Sequence, residues 1–168
     1  MVRGFIGCLA ALMLLTSPDF ADDLPALSGP VLLTVTGLDR ATYPTGKAEF
    51  DLPMLQALGS EKITTGSIWT DGKHEFTGVP LQALEQYLSI TGPTLSLHAL
   101  NDYAVQMPAA EVEPGAPILA YMMDGAVMPI RDKGPIWLIY PYDSAPRYRT
   151  DTFFSRSVWQ LDRIDVLR

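Results

Sequence analysis

Three stretches bring aromatic rings together with charged or amide side chains, a mixture suited to gripping a flat, hydrogen-bonding molecule. The first is Trp69-Thr70-Asp71-Gly72-Lys73-His74 and the second is Leu100-Asn101-Asp102-Tyr103. The third runs from Arg131 to Asp143 and is echoed by Ser155 to Leu161. Trp69, Trp137, Tyr140 and Tyr142 offer faces on which a planar heterocycle can stack. Arg131, Asp132, Asn101, Asp102 and His74 offer donors and acceptors to its edge or to a tail. Each candidate has a plainer alternative. Trp137, Leu138, Ile139 and Tyr140 can alternate between two core faces. Arg131 with Asp132 can be a solvated turn, His74 can be merely exposed, and Trp159 can be either a pocket wall or a core residue. His98, among Leu95, Leu97 and Leu100, reads as structural, and Arg156 reads as a surface residue.

Much other chemistry is missing. The chain has two histidines, too few for a three-histidine zinc site. It contains no G-x-S-x-G elbow and no phosphate-cradling G-x-x-x-x-G-K-[ST]. Carboxylates are plentiful, but sequence alone pairs none of them. The single cysteine, Cys8, falls in a stretch that reads as an export leader. Arg3 precedes the apolar run Phe5 to Leu15, Ser17-Pro18 breaks it, and Ala21 is a small residue for cleavage. That run is too short for a bilayer, which needs about 20 residues. The expected organisation is a leader over residues 1–21 and one thiol-free domain over residues 22–168. Arg3 and Asp19 leave together, so the net charge stays at −7. That balance argues against nucleic acid or an anionic membrane as partner. No later stretch is long enough to insert in a membrane.

The elements that must position these residues are short. Val31 to Thr36 reads as a strand closed by Gly37. Asp51 caps a helix with Pro53 just inside it, ending near Gly59. A strand is expected over Ile63 to Ile68, then a polar loop from Trp69 to Phe76, then a helix after Val79-Pro80 carrying Leu81, Leu84 and Leu88. Further strands are expected at Thr94 to Leu100, Tyr103 to Met107, Ile118 to Met122, Val127 to Ile130, Ile136 to Tyr140 and Ser157 to Val166. Asn101-Asp102 and Asp124-Gly125 are the hairpin turns. Fourteen prolines and thirteen glycines punctuate a β-rich domain of α+β class with a few short helices.

In their order and spacing, several segments resemble the molybdopterin-binding domain of the sulfite oxidase family. Phe76-Thr77-Gly78-Val79-Pro80-Leu81 looks like that family's aromatic-x-Gly-Val-Pro-Leu segment. Asn101-Asp102-Tyr103 is similar to its Asp-Gly-Tyr turn, and Leu119 to Gly125 to its Leu-Ala-x-x-x-Asn-Gly hairpin. Gly134-Pro135-Ile136-Trp137 through Pro141 resembles its Gly-x-Pro-x-Arg…Pro stretch. Ser157-Val158-Trp159-Gln160-Leu161 with Ile164 resembles its closing strand. The resemblance covers roughly Val31 to Val166 and implies a sulfite oxidase-type fold.

The departures carry the functional expectation. Enzymes of that family ligate molybdenum through a cysteine in the loop that here reads Thr64-Thr65-Gly66-Ser67-Ile68-Trp69, and a hydroxyl is a poor substitute for a thiolate. Trp137 and Trp159 stand where the family has an arginine and a lysine. Losing a metal ligand and two cations while gaining indoles implies a site that keeps a pterin-like ring without molybdenum. This looks most like a branch of short, non-catalytic periplasmic pterin-binding regulators. Members of that branch pair with inner-membrane enzymes of cyclic di-GMP signalling, so the resemblance implies docking on a sensor's periplasmic domain. Two other readings stay open: a molybdopterin-dependent oxidoreductase subunit with a non-cysteine ligand, and a structural partner with a vestigial pocket.

Overall fold

Apolar residues alternating along short strands build two five-stranded sheets, with helices filling the ends. The computed structural model describes residues 24–168; the expected leader lies outside them. In chain order the elements are β1 (Leu33–Thr36), β2 (Lys47–Phe50), α1 (Leu52–Ala57), β3 (Glu61–Gly66), β4 (Lys73–Pro80), α2 (Leu81–Tyr87), β5 (Thr94–Ala99) and β6 (Ala104–Pro108). They continue with β7 (Ile118–Met123), β8 (Ala126–Val127), β9 (Trp137–Ile139), α3 (Asp151–Arg156) and β10 (Leu161–Leu167). The first sheet runs β2-β1-β10-β5-β6 and the second β3-β4-β7-β8, with β9 also paired to β7. The fold is a β-rich α+β arrangement. Among the described residues, no helix is long and apolar enough to cross a membrane.

The middle of the second sheet is buried on both faces, which is why β7 and β9 read as unbroken apolar runs. Leu119 and Leu138 face the main core with Val35, Phe50, Leu55 and Leu84. Their neighbours Ile118, Ala120, Trp137 and Ile139 face a smaller cluster with Phe76 and Met128. Trp137 to Ile139 therefore alternate between two cores. Where β4 meets β7 the register slips between Thr77 and Gly78. A Cβ at Gly78 would lie 2.3 Å from the Leu119 carbonyl oxygen, so only glycine admits this approach.

Capping follows the sequence at α1. The Met54 N–H donates to Asp51 Oδ1 at 3.0 Å. Asp51 Oδ2 accepts from Ser28 N–H, Ser28 Oγ and Gly29 N–H at 2.6, 2.9 and 2.9 Å. These bonds, that from Met54 foremost, hold its carboxyl below the usual range. One side chain thus starts the helix and fastens the entry segment to it.

Several boundaries differ from expectation. The loop expected over Trp69 to Phe76 is shorter, because β4 already begins at Lys73. The strand expected at Val127 to Ile130 stops at Val127; Pro129 has no N–H to continue a ladder. The last strand begins at Leu161, not Ser157, because Gln160 adopts φ +52° and turns the chain. Three elements had not been expected: β4, which takes up half of the expected loop, and β2 and α3. The last two are very short, and α3 starts from Thr150 with no side-chain cap.

Candidate ligand-binding site

The β3–β4 loop presents Trp69 by a local hydroxyl turn. Ser67 Oγ accepts from the Trp69 N–H at 3.2 Å and shares a 2.8 Å bond with Thr70 Oγ1. Trp69 then meets three aromatic rings edge-on: Trp159 at 5.5 Å, Phe154 at 5.7 Å and Trp137 at 6.0 Å between centroids. Edge contacts of this kind fix the ring planes. Beside them opens a cavity of about 260 Å³, lined by Trp69, Trp159, Phe154, Tyr103, Asn101, Ala99, Ser155, Ser157 and Val158. Pockets for drug-sized ligands span roughly 300–1,000 Å³, so this one suits a single small ring system. The groove between α1 and α2 is larger, about 620 Å³, but its wall is largely aliphatic, without such a cluster of indoles.

Three chain segments form the cavity. The β5–β6 turn contributes Asn101 and Tyr103, with Asp102 at φ +65° between them. Asn101 Oδ1 accepts from the Tyr103 N–H at 3.2 Å, and Tyr103 Oη donates to the Ser155 carbonyl at 2.8 Å. That bond joins the turn to α3. Behind the wall, Lys133 Nζ lies 4.8 Å from the Trp159 ring centroid and 5.6 Å from that of Trp137, within cation–π range. Gly134 keeps this loop folded, since a Cβ there would sit 1.9 Å from the Met128 carbonyl oxygen.

The candidates from the sequence divide accordingly. Trp69, Asn101 and Trp159 line the cavity. Asp102 is exposed in the adjoining turn, and Arg131 and Asp132 are exposed in the loop before Gly134. None of the three lines the cavity. Trp137 is fully buried behind it, its Nε1 donating to the Ser157 carbonyl at 3.1 Å. Tyr140 and Tyr142 are buried as well. Tyr140 packs on Phe153 at 4.9 Å and on Tyr148, with its hydroxyl directed to Met107 Sδ. Burial drives its phenol well above the ordinary range. Tyr142 shares a 2.5 Å hydroxyl bond with Ser157 Oγ, and burial pushes its phenol up to about 12. As stacking faces, Trp137 and Tyr140 are corrected to core residues.

His74 also lies apart from the cavity. It is on β4, its Nδ1 2.6 Å from Asp124 Oδ2 and its Nε2 3.0 Å from the Asp71 carbonyl. Both contacts call for an N–H, so they favour the imidazolium; the hydrogen bond to Asp124 leads in raising its pKa. Arg156 is a further correction. Its side chain is only 11% exposed and pairs with Glu111. His98 sits on β5, held by Ser96 Oγ at 3.0 Å and Asp165 at 2.9 Å.

A second cavity, also about 260 Å³, adjoins Phe154 and is lined by Gly66, Ser67, Ile68, Tyr142 and Arg149. Asp143 stands beside it. Its Oδ2 accepts from the Gly66 N–H at 3.0 Å and meets Lys73 Nζ at 3.1 Å, while Oδ1 pairs with Arg149. These partners, the Gly66 N–H foremost, pull its carboxyl down to about 2.

The same loop tests whether molybdenum fits. Its hydroxyls are neutral, and those of Thr65 and Ser67 are already engaged. Thr65 Oγ1 donates to the Gly66 carbonyl and accepts from the Asp143 N–H, and Ser67 Oγ is held by Thr70 and Trp69. Among the described residues, no three of His, Cys, Asp or Glu gather as a metal would need. The residues present do not fit a soft metal centre.

Sequence reasoning missed Tyr103 and Phe154 as wall residues and Lys133 as the cation beneath the indoles. Tyr103 and Lys133 stood inside the stretches it singled out, next to residues that were chosen. Phe154 had only the Phe153-Phe154 pair as a signal. The chain matches no known family model and no curated protein.

Proposed function

We propose that this protein is a non-catalytic periplasmic pterin-binding protein that relays ligand occupancy to an inner-membrane cyclic di-GMP signalling enzyme. Its fold, on this reading, is of the sulfite oxidase molybdopterin-binding type. The observation that carries the proposal is the cavity walled by Trp69, Trp159, Phe154 and Tyr103, with Asn101 at its edge. Aromatic walls with few polar groups suit a flat bicyclic heterocycle. In the neighbouring loop the Thr65 and Ser67 hydroxyls are already bonded within the protein, which suits a ring bound without metal chemistry. The periplasmic location, the partner and the signalling role come from the resemblance of the sequence alone.

The test starts with protein purified from the periplasm of its own host. Denaturation should release a blue-fluorescent oxidised pterin at near-stoichiometric yield, with molybdenum far below one atom per chain. Removing the gene should change intracellular cyclic di-GMP. Stoichiometric molybdenum would turn the reading towards an oxidoreductase subunit. An empty cavity that also ignores added pterins would leave a structural role.

A further inference from the structure

The polar groups around the Trp69–Trp159 cavity are unbalanced. Its acceptors are largely spent inside the protein. The backbone carbonyls of Ala99, Tyr103, Phe154 and Val158 accept from Asp102, Ala99, Ser157 and Leu138. Those of Ser155 and Ser157 accept from Tyr103 Oη and Trp137 Nε1. Asn101 Oδ1 is taken by the Tyr103 N–H. The hydroxyl donors of Tyr103, Ser155 and Ser157 are spent too, but three N–H donors are not. Trp69 Nε1, Trp159 Nε1 and Asn101 Nδ2 have no acceptor among the described residues. Glu85 Oε1 is the one fully buried side-chain polar atom without a partner there, so both indole N–H groups keep contact with solvent. The Lys133 ammonium, over the Trp159 ring, adds positive potential to the same wall.

We infer that this cavity selects its ligand by the hydrogen-bond acceptors it presents: a flat bicycle edged with ring nitrogens or carbonyl oxygens, not one edged with N–H donors. The inference rests on the binding reading above for the location of the site, not for the identity of the ligand. A ligand that covers the indole N–H groups strips water from them. If it offers acceptors, the lost bonds are replaced. If it offers donors, the N–H groups stay unpaired and the ligand's donors meet few free acceptors in return.

Two bicycles of the same skeleton separate the cases. Quinoxaline carries two imine nitrogens, and 1,2,3,4-tetrahydroquinoxaline carries two N–H groups in their place. Titration of the whole protein should give at least tenfold tighter binding of quinoxaline. In ¹H–¹⁵N spectra the three tryptophans give three indole signals. Those of Trp69 and Trp159 should move downfield with quinoxaline, while that of Trp137, already bonded to Ser157, stays. Asn101→Asp keeps the acceptor for the Tyr103 N–H and removes the NH₂ donor. It should weaken quinoxaline at least threefold with an unchanged Tm. Equal or tighter binding of the tetrahydro form, no binding of either bicycle, or unmoved Trp69 and Trp159 signals overturns the inference. Quinoxaline binding without pterin binding defeats the pterin reading and leaves this one standing; the reverse defeats only this one.

Discussion

Two aromatic clusters meet at Phe154, and they differ in how their polar atoms are satisfied. The tyrosine cluster of Tyr140, Tyr142 and Tyr148 is almost fully buried, with Phe153 packed against it and only Tyr142 bordering the second cavity. Its hydroxyls are directed to Met107 Sδ, Ser157 Oγ and Glu113 respectively. The indole cluster of Trp69 and Trp159 is half-buried, and its N–H groups have no acceptor among the described residues. Tyr142 touches Phe154 at 5.6 Å on one side and Trp69 touches it at 5.7 Å on the other. Burial with every polar atom paired is how a core looks. Burial that stops short, with donors left over, is how a binding wall looks. The contrast teaches that aromatic residue type did not separate the two roles, whereas the hydrogen-bond balance does.

The comparison breaks first, and hardest, on the buried side. Tyr140→Ala should cost about 3–5 kcal/mol in urea denaturation, the range for emptying a large buried aromatic site. A loss below about 1 kcal/mol would mean that the tyrosine cluster is not core. On the open side Trp159→Ala should cost less in stability, about 1–2 kcal/mol, while pterin affinity by fluorescence titration falls at least tenfold. A Trp159→Ala protein that binds as before would remove the distinction between the clusters.

Two smaller tests extend the comparison to charged groups. Glu85 is the counter-case, with Oε1 buried and unpartnered, and burial raises its carboxyl from 4.5 to about 7. Between those two values the folded chain holds a proton that the unfolded chain has lost. Stability should therefore fall as pH rises from about 4.5 to about 7, by about 1–2 kcal/mol after allowance for its partial exposure. Glu85→Gln should flatten that slope in urea melts across the window. His74 has a raised pKa through its partner Asp124, so its contribution is complete below its ordinary value of 6.5 and is lost as pH rises through the raised one. His74→Gln should lower Tm by roughly 1–3 °C at pH 6 and change little at pH 9. A uniform loss at both values would show that charge is not what the contact supplies.

How much of this was readable beforehand follows the same line. Strands with alternating or continuous apolar residues were readable, as at β5, β7 and β9, because the period is written in the residues themselves. So was α1, since Asp51 and Pro53 mark its start. The site was half readable. Trp69, Asn101 and Trp159 were chosen, but the stretch that put Trp137 and Tyr140 beside them cannot tell which alternate residues face a second sheet and which face a gap. That depends on α3, six residues with no side-chain cap, whose position only tertiary packing sets. Phe154 and the Ser155 carbonyl come from that helix, and they complete the cavity with Tyr103.

The parallel pairing of β1 with β10 has a consequence for how the chain is made. β10 lies between β1 and β5 in the first sheet, with Thr34 opposite Arg163 and Leu97 opposite Ile164, and Thr36 Oγ1 donates to Asp165 at 2.6 Å across 129 residues. During synthesis, β1-β2 and β5-β6 can each form a hairpin early, but they stay unjoined until Leu161 to Leu167 has emerged. The sheet therefore closes last, and a chain stopped before Leu161 is left with two separate ribbons, each with an edge that β10 would have filled.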